Sequence, residues 1–331
     1  MNPLLTLTQA GVASVTDLGR YGVAHLGIQT NGALDQPAAR AANILVGNPD
    51  SAPVIEVTTI VPFAFRTSEA VLLAVTGAAG SVTLDGDPVA THAPLLTWPN
   101  AEVKISPAPS GLRAYVAVHG RIQGDEFLGS VARDPLIGRG RRLSTGDVVI
   151  AHGARLGLVP HPPLFLVAAP REAYPHEWVL DVLPGPELAE FPGFTGGITS
   201  TAYTVDTRSD HVGIRLAGPG FERVTSSEIL SRGVPLGAVE IPPTGGPIIL
   251  MRGRPLTAGY PIPAVVARSC HHYLGQMRPG DTLRLRMSTA EQSIRAVRQQ
   301  EADLAALRHR CRTMYEASHL FTDTPVVPIP R

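Results

Sequence analysis

The stretch Thr16–Glu56, reading TDLGRYGVAHLGIQTNGALDQPAARAANILVGNPDSAPVIE, constrains the fold more than any other part of the chain. Gly19, Gly22, Gly27 and Gly32 recur every few residues among Asp17, Arg20, His25, Asn31 and Asp35. That spacing calls for loops that need glycine conformations or close backbone approach, and such loops often carry function. Asp35 then stands as a helix N-cap with Pro37 in the first turn. Ala38, Ala41, Ala42 and Leu45 share one apolar face before Gly47 and Asn48 stop the helix, so a capped helix is expected over 36–46. Its free N–H groups suit an anion or a carbonyl oxygen; the alternative is a scaffold helix that plugs a barrel or sheet.

The rest of the chain must turn often. With 33 Gly and 31 Pro among 331 residues and aromatics at 5 %, many short strands are expected, not a helical bundle, and the length suits two domains. From Ala70 to Ile150, runs such as VLLAVTG, SVTLDGD, AEVKI and LRAYVAVHG alternate with turns, Asp85-Gly86 being a hairpin and Gly146-Asp147 leading into a further strand. Pro160, Pro162 and Pro163 mark a boundary. The expected organisation is a β-barrel domain over 1–160, a second over 161–288, a helix over 289–318 and a Pro-rich tail over 319–331. Val297, Leu304 and Cys311 form one seven-residue row in that helix, and Leu307 and Met314 another; the seam is expected to pack on the helix's own domain.

Charge excludes several function classes. Lys+Arg and Asp+Glu are both 28, so no net field recruits nucleic acid or an anionic membrane, and the Arg139, Arg141, Arg142 cluster reads as a solvated loop. Lys104 is the only lysine, which removes a Walker phosphate loop and a biotinyl-lysine from this chain. Cys270 and Cys311 are far apart, no signal segment opens the chain and no apolar run spans a bilayer, so a reduced cytoplasmic setting is expected. There is no G-x-S-x-G elbow, H-E-x-x-H helix or His cluster at ligand spacing, so no metal site is expected. His271 and His272 read as a strand pair facing opposite ways, surface or half-buried.

Two motif groups accumulate in order: DLGR, NGALD and ANILVGN closed by Glu56, then LPGPE, RSDHVGIRLAG, SRGVPLGAVEIPPTGGPIILM and TAGYP. In that order the chain resembles the KipA family, which includes allophanate hydrolase subunit 2 and the C subunit of 5-oxoprolinase, over about residues 5–295. It is similar, too, to part of the carboxyltransferase region of urea carboxylase. The resemblance implies a mainly β fold of two cyclophilin-like β-barrel domains with a groove between them, a few short helices and the long C-terminal helix. It implies two companions, a KipI-like protein (the B subunit of 5-oxoprolinase) and a LamB-like protein (its A subunit). A small amide or lactam substrate, and ATP used by the assembled complex, are implied with them. Biotin enters only if it is held on a partner chain. Three readings stay open: a 5-oxoprolinase-type component, a biotin-dependent carboxyltransferase component, and a non-catalytic KipA-like regulatory binder.

The resemblance assigns residues as well. Arg20, Asp35 and Arg215 are the implied catalytic groups; Asp17, Gly32, Asn43, Asn48, Ser209, Asp210, Thr257 and Tyr260 are the implied substrate-binding positions. Oriented N–H donors and arginines are what an N–C=O unit needs as its oxygen becomes enolate-like. The second half departs from the family pattern: Gly253 and Ile262 stand where an acidic residue and an arginine are usual, Glu240 replaces a glutamine, and Cys270 replaces an acidic residue.

Overall fold

In the computed structural model, which describes residues 4–153 and 167–318, the Thr16–Glu56 stretch lies where two β-rich halves meet. The N-terminal half distributes its strands over two sheets around one core. The seven-stranded sheet runs in the order Arg121–Ile122, Val148–His152, Leu4–Gln9, Phe63–Thr67, Glu102–Ile105, Val82–Leu84 and Asp87–Val89. The five-stranded sheet runs Val12–Thr16, Val54–Thr58, Arg113–Val118, Leu72–Gly77 and Pro94–Leu96. Strand alternation sends Leu5, Leu7, Ile55, Val57, Phe63, Phe65, Leu73, Val75 and Val116 into the shared interior. Lys104 points out of its strand to solvent. Asp85 and Gly86 both take positive φ, 50° and 95°, as the predicted two-residue hairpin requires.

The strand Leu72–Gly77 is buried at every position because its second face is covered as well. On that face Leu72, Ala74, Tyr115 and Ala117 pack against α1 (Gln36–Leu45). Asp35 caps α1 as predicted, its carboxylate accepting from Ala38 N at 3.0 Å. The Thr76 hydroxyl donates to Ala38 O at 2.7 Å and fixes the first turn on the sheet.

The C-terminal half closes into a seven-stranded barrel: Glu177–Pro184, Ala264–Val266, Ala238–Glu240, Ile248–Leu250, Gly213–Ala217, Tyr203–Val205 and Thr282–Met287. Its core is formed by residues such as Trp178, Leu180, Val239, Ile249, Leu283 and Leu285, and Leu34 of the NGALD loop belongs to the same cluster. The first half therefore plugs an apolar residue into the second. Gly275 permits this approach, since a Cβ there would stand 2.8 Å from both the carbonyl carbon and the Cβ of Leu34. Two further helices in this half, α2 (Phe194–Ser200) and α3 (His271–Leu274), are short.

The long helix α4 (Ala290–Ser318) begins one residue later than the start at 289 expected from the sequence. Thr289 and Gln292 form a reciprocal capping box there, Thr289 N donating to Gln292 Oε1 at 3.0 Å and Gln292 N to Thr289 Oγ1 at 3.3 Å. Its seam does not pack on its own barrel. Leu304, Leu307, Cys311, Met314 and Tyr315 cover α1 of the other half, and Arg40 clasps Glu301 with bonds of 2.6 and 2.8 Å. The reason is apolar supply: the alanine-rich outer face of α1 lies over its sheet with nothing else to cover it, and the barrel fills its own interior. The domain boundary expected near residue 160 and the tail over 319–331 lie outside the described residues.

Candidate functional site

The densest polar chemistry lies at the N-terminus of α1, around Asp35. The side chain is 1 % exposed, and its second oxygen accepts from Gln276 Nε2 at 2.7 Å and from the Tyr174 hydroxyl at 3.1 Å. Asp35 N donates to the Tyr115 hydroxyl at 2.8 Å, which in turn donates to Glu56 at 2.8 Å. Gln276, fully buried, accepts from Leu112 N and Arg113 N at 2.9 Å each and donates to Arg113 O at 3.0 Å. One glutamine from the barrel half thus joins the helix cap and the central strand of the other half.

These groups open onto a cavity of about 320 Å³. Asp35, Tyr174 and His272 line its polar wall, Arg171 and Glu172 stand at the exposed margin, and Gln300, Asp303, Leu304 and Leu307 of α4 form the roof. His272 is buried and lies 3.5 Å from Glu172. Burial alone would lower its pKa, but the Glu172 hydrogen bond and the charges of Asp35 and Glu172 outweigh that and raise it. Burial pushes the Asp35 carboxyl up, against the opposing pull of His272, Gln276 and Ala38 N. His92, also in the lining, is driven down to about 4 by burial and by Arg171. A carboxyl held toward its neutral form beside an imidazole held toward its charged form is an arrangement suited to proton transfer.

The residues assigned by sequence are not all brought together here. Arg20 is 1 % exposed and faces inward, donating to Phe127 O at 3.0 Å, Ser130 O at 3.4 Å and Ala132 O at 2.6 Å. Asp17 grips the same segment, accepting from Ser130 Oγ at 2.6 Å, Val131 N at 2.9 Å and Gly19 N at 2.8 Å. Gly32, at φ 90°, lets the two loops touch: a Cβ there would stand 2.6 Å from Gly19 N. Asn43 and Asn48 tie the end of α1 to the carbonyls of Ala52 and Val118, each at 2.8 Å. These five residues shape the loops that present Asp35.

Ser209, Asp210 and Arg215 lie on the barrel instead. Asp210 accepts from Val212 N at 2.8 Å, Ser209 accepts from Arg215 N at 3.0 Å, and the Arg215 side chain points to solvent. Thr257 and Tyr260 are exposed, and Tyr260 borders a second, open groove of about 960 Å³ with Phe191, Phe221, Arg223 and Thr244. The departures from the family pattern are packed positions. A Cβ at Gly253 would stand 2.4 Å from the His211 ring, and Ile262 and Cys270 are buried among apolar neighbours. The strand reading of His271 and His272 is corrected: they open α3, where His271 is half-buried as expected and His272 is buried.

Sequence reasoning missed Glu172, Tyr174 and His272. No local motif marks them, since REAYPHEW reads as an approach to the strand Glu177–Pro184 and the paired histidines as a surface or half-buried pair. Arg139 and Arg141 meet Asp125 and Asp147 at the surface, as a solvated loop should.

Residues 26–287 match the family model described as carboxyltransferase domain, subdomain A and B. The chain belongs to that family. It is 31 % identical over 306 residues to the C subunit of 5-oxoprolinase from Escherichia coli, covering 90 % of this chain and 96 % of that protein. It is 30 % identical over 287 residues to the urea amidolyase of Saccharomyces cerevisiae, covering 80 % of this chain but 15 % of that protein. Among solved structures, TTHA0988 superposes with a TM-score of 0.76 at 32 % identity, over 87 % of this chain and 56 % of that one, so this chain spans about half of it. The Kluyveromyces lactis urea amidolyase gives a TM-score of 0.84 over 93 % of this chain and 20 % of that one, a likeness of fold at 24 % identity. Within this carboxyltransferase domain Asp35, Glu172, Tyr174 and His272 fall inside the matched span, whereas α4, the cavity roof, follows it. Among the described residues no group of three His, Cys, Asp or Glu is placed to hold a metal, and no helix is long and apolar enough to cross a membrane.

Proposed function

We propose that this chain is the C-type component of a 5-oxoprolinase, which opens the lactam ring of 5-oxoproline to glutamate at the expense of ATP, acting with a KipI-like and a LamB-like partner. The observation that carries the reading is the likeness to the E. coli C subunit along nearly the full length of that protein. The Asp35 cavity supports it by size and chemistry. Its volume suits a small ring, Arg171 at the margin suits a carboxylate, and the buried acid–base groups suit an amide.

In this reading Arg171 receives the substrate carboxylate and Tyr174 orients the N–C=O unit. The Glu172 carboxylate, held ionised by its bond to His272, takes the proton of the attacking water, and the His272 imidazolium offsets the negative charge that develops on the lactam oxygen. When water has added to the carbonyl carbon, the C–N bond breaks, its electron pair stays on nitrogen, and Asp35 delivers the proton that nitrogen requires. Arg20, Asp17 and Gly32 hold the loop that fixes Asp35.

Reconstitution of the chain with its companion proteins and an assay of ATP-dependent glutamate release tests the reading. Turnover that disappears with Asp35→Asn supports it; no turnover with every component present overturns it. A second reading rests on the S. cerevisiae relative: a carboxyltransferase component that takes a carboxyl group from biotin and passes it to an amide nitrogen. Lys104 is exposed on the far sheet, so such a biotin is placed on another chain. Transfer of label from carboxybiotin to urea, without glutamate release, selects that reading.

A further inference from the structure

On the same seam, one residue along from the cavity groups, lies a cationic cluster that the proposed reaction does not use. Asp35 and His272 face the cavity; their sequence neighbours Gln36 and His271 belong to the cluster's surroundings. Tyr21 is its centre. The phenol oxygen accepts from Gln36 Nε2 at 3.1 Å in one half and from Arg252 Nη1 at 3.3 Å in the other. Both halves meet again where Asn31 N donates to Arg252 O at 3.3 Å. The Asn31 side chain is 5 % exposed, yet its amide nitrogen has no hydrogen-bond partner among the described residues.

The cluster has no counter-charge of its own. Arg252, Arg254 and Arg268 form no ion pair among the described residues, and Glu301, which interacts with Arg268, is already clasped by Arg40. The guanidinium groups act on one another and on their surroundings. Burial and the charge of Arg252 lower the Arg254 pKa. Burial would raise the Tyr21 phenol, but Arg252, Gln36 and Arg268 together hold it below its ordinary value. Tyr21 itself is 63 % exposed, so with two donors occupying its oxygen lone pairs its own O–H remains to be given to an incoming acceptor.

Unpaired arginines with a free hydroxyl donor and an unsatisfied amide N–H form a set made only of donors. We propose that Tyr21 and Arg252, with the charge of Arg268 adding to theirs, form a binding site for a phosphate-class oxyanion at the seam between the halves. A tetrahedral anion offers enough acceptor oxygens to meet guanidinium and phenol together, and it supplies the missing negative charge. Because its donors come from both halves, the bound anion also ties them. The site stands on this donor set and not on the assigned reaction; its position beside the Asp35 cavity places a phosphoryl group next to the lactam if that reading holds.

The test is calorimetric titration of the full chain at low ionic strength with inorganic phosphate, with ADP and with ATP, for wild type, Arg252→Gln, Arg268→Gln and Tyr21→Phe. Saturable binding is expected, weakened by roughly tenfold or more in Arg252→Gln and by less in Tyr21→Phe, since a hydrogen bond to a charged group outweighs a neutral one. Binding of all three ligands assigns the site to phosphate itself; binding of ADP and ATP alone assigns it to a nucleotide's phosphate chain. No binding by wild type, or equal binding by folded Arg252→Gln and Arg268→Gln variants, overturns the proposal. Circular dichroism of each variant establishes folding. Turnover of the assembled complex is a separate readout: retained anion binding with no turnover defeats the 5-oxoprolinase reading alone.

Discussion

The Asp35 cavity and the Tyr260 groove differ in the property that matters for chemistry. The groove is about three times larger, 960 against 320 Å³, yet it is open, and Tyr260 at its edge is 43 % exposed. The cavity is assembled from α1, the segment 169–174, α3 and α4, and Asp35, His92 and His272 in its lining are withdrawn from water. Desolvation raises Asp35 and lowers His92 to about 4, whereas no comparable carboxyl–imidazole pair borders the groove. Size alone therefore does not choose the site; burial of opposed titratable groups does.

The sharpest way to break that contrast is Asp35→Asn, which keeps the hydrogen bond from Ala38 N while removing the acid. Turnover of the assembled complex is expected to fall by about 100-fold or more, whereas Tyr260→Phe in the groove costs less than about tenfold. A larger loss at Tyr260 than at Asp35 would move the site to the groove. Next in size is the roof. Leu307→Ala leaves a cavity between α4 and α1 and is expected to cost about 2–5 kcal/mol in urea unfolding. Stability unchanged by that substitution would mean that α4 is not held as described.

Gln276→Leu probes the joint between the halves, since it strands Leu112 N and Arg113 N and removes one of the donors to Asp35. A loss of about 1–3 kcal/mol is expected for each buried group left without a partner. The pH dependence is smaller and has a fixed sign. His272 is raised above 6.5 in the folded chain, so its contribution is complete below that pH and is lost as pH rises through the folded value. Asp35, raised above 3.8, likewise loses its contribution as pH rises from that value through its folded one. The melting temperature is therefore expected to fall as pH rises above 6.5, with the slope reduced in His272→Gln. An unchanged slope in that variant would remove His272 from the network. Smallest of all is Arg215→Gln: on the exposed face of the barrel it is expected to change stability by less than about 0.5 kcal/mol and leave turnover intact.

Much of the N-terminal half was legible. The cap at Asp35, the helix stop, one residue earlier than the expected 46, and the Asp85-Gly86 hairpin follow from local backbone chemistry, which short sequence windows record directly. The family assignment was legible for the same reason, because its motifs are turns and caps in a fixed order. The partner of the α4 seam was not. Leu304, Leu307 and Cys311 announce an apolar stripe, but a stripe does not say which surface it meets, and α1 won because its outer face was bare.

The sequence by itself determined the β-rich fold, the helix capped by Asp35 and the family. Only the tertiary structure decided that Arg20 turns inward, that Glu172, Tyr174 and His272 join Asp35, and that Tyr21 meets Arg252 of the other half. Caps and turns are encoded within a few residues, whereas desolvation and charge convergence depend on groups far apart in the chain. Asp35 and Gln276 meet across 241 residues, and no local pattern records that distance.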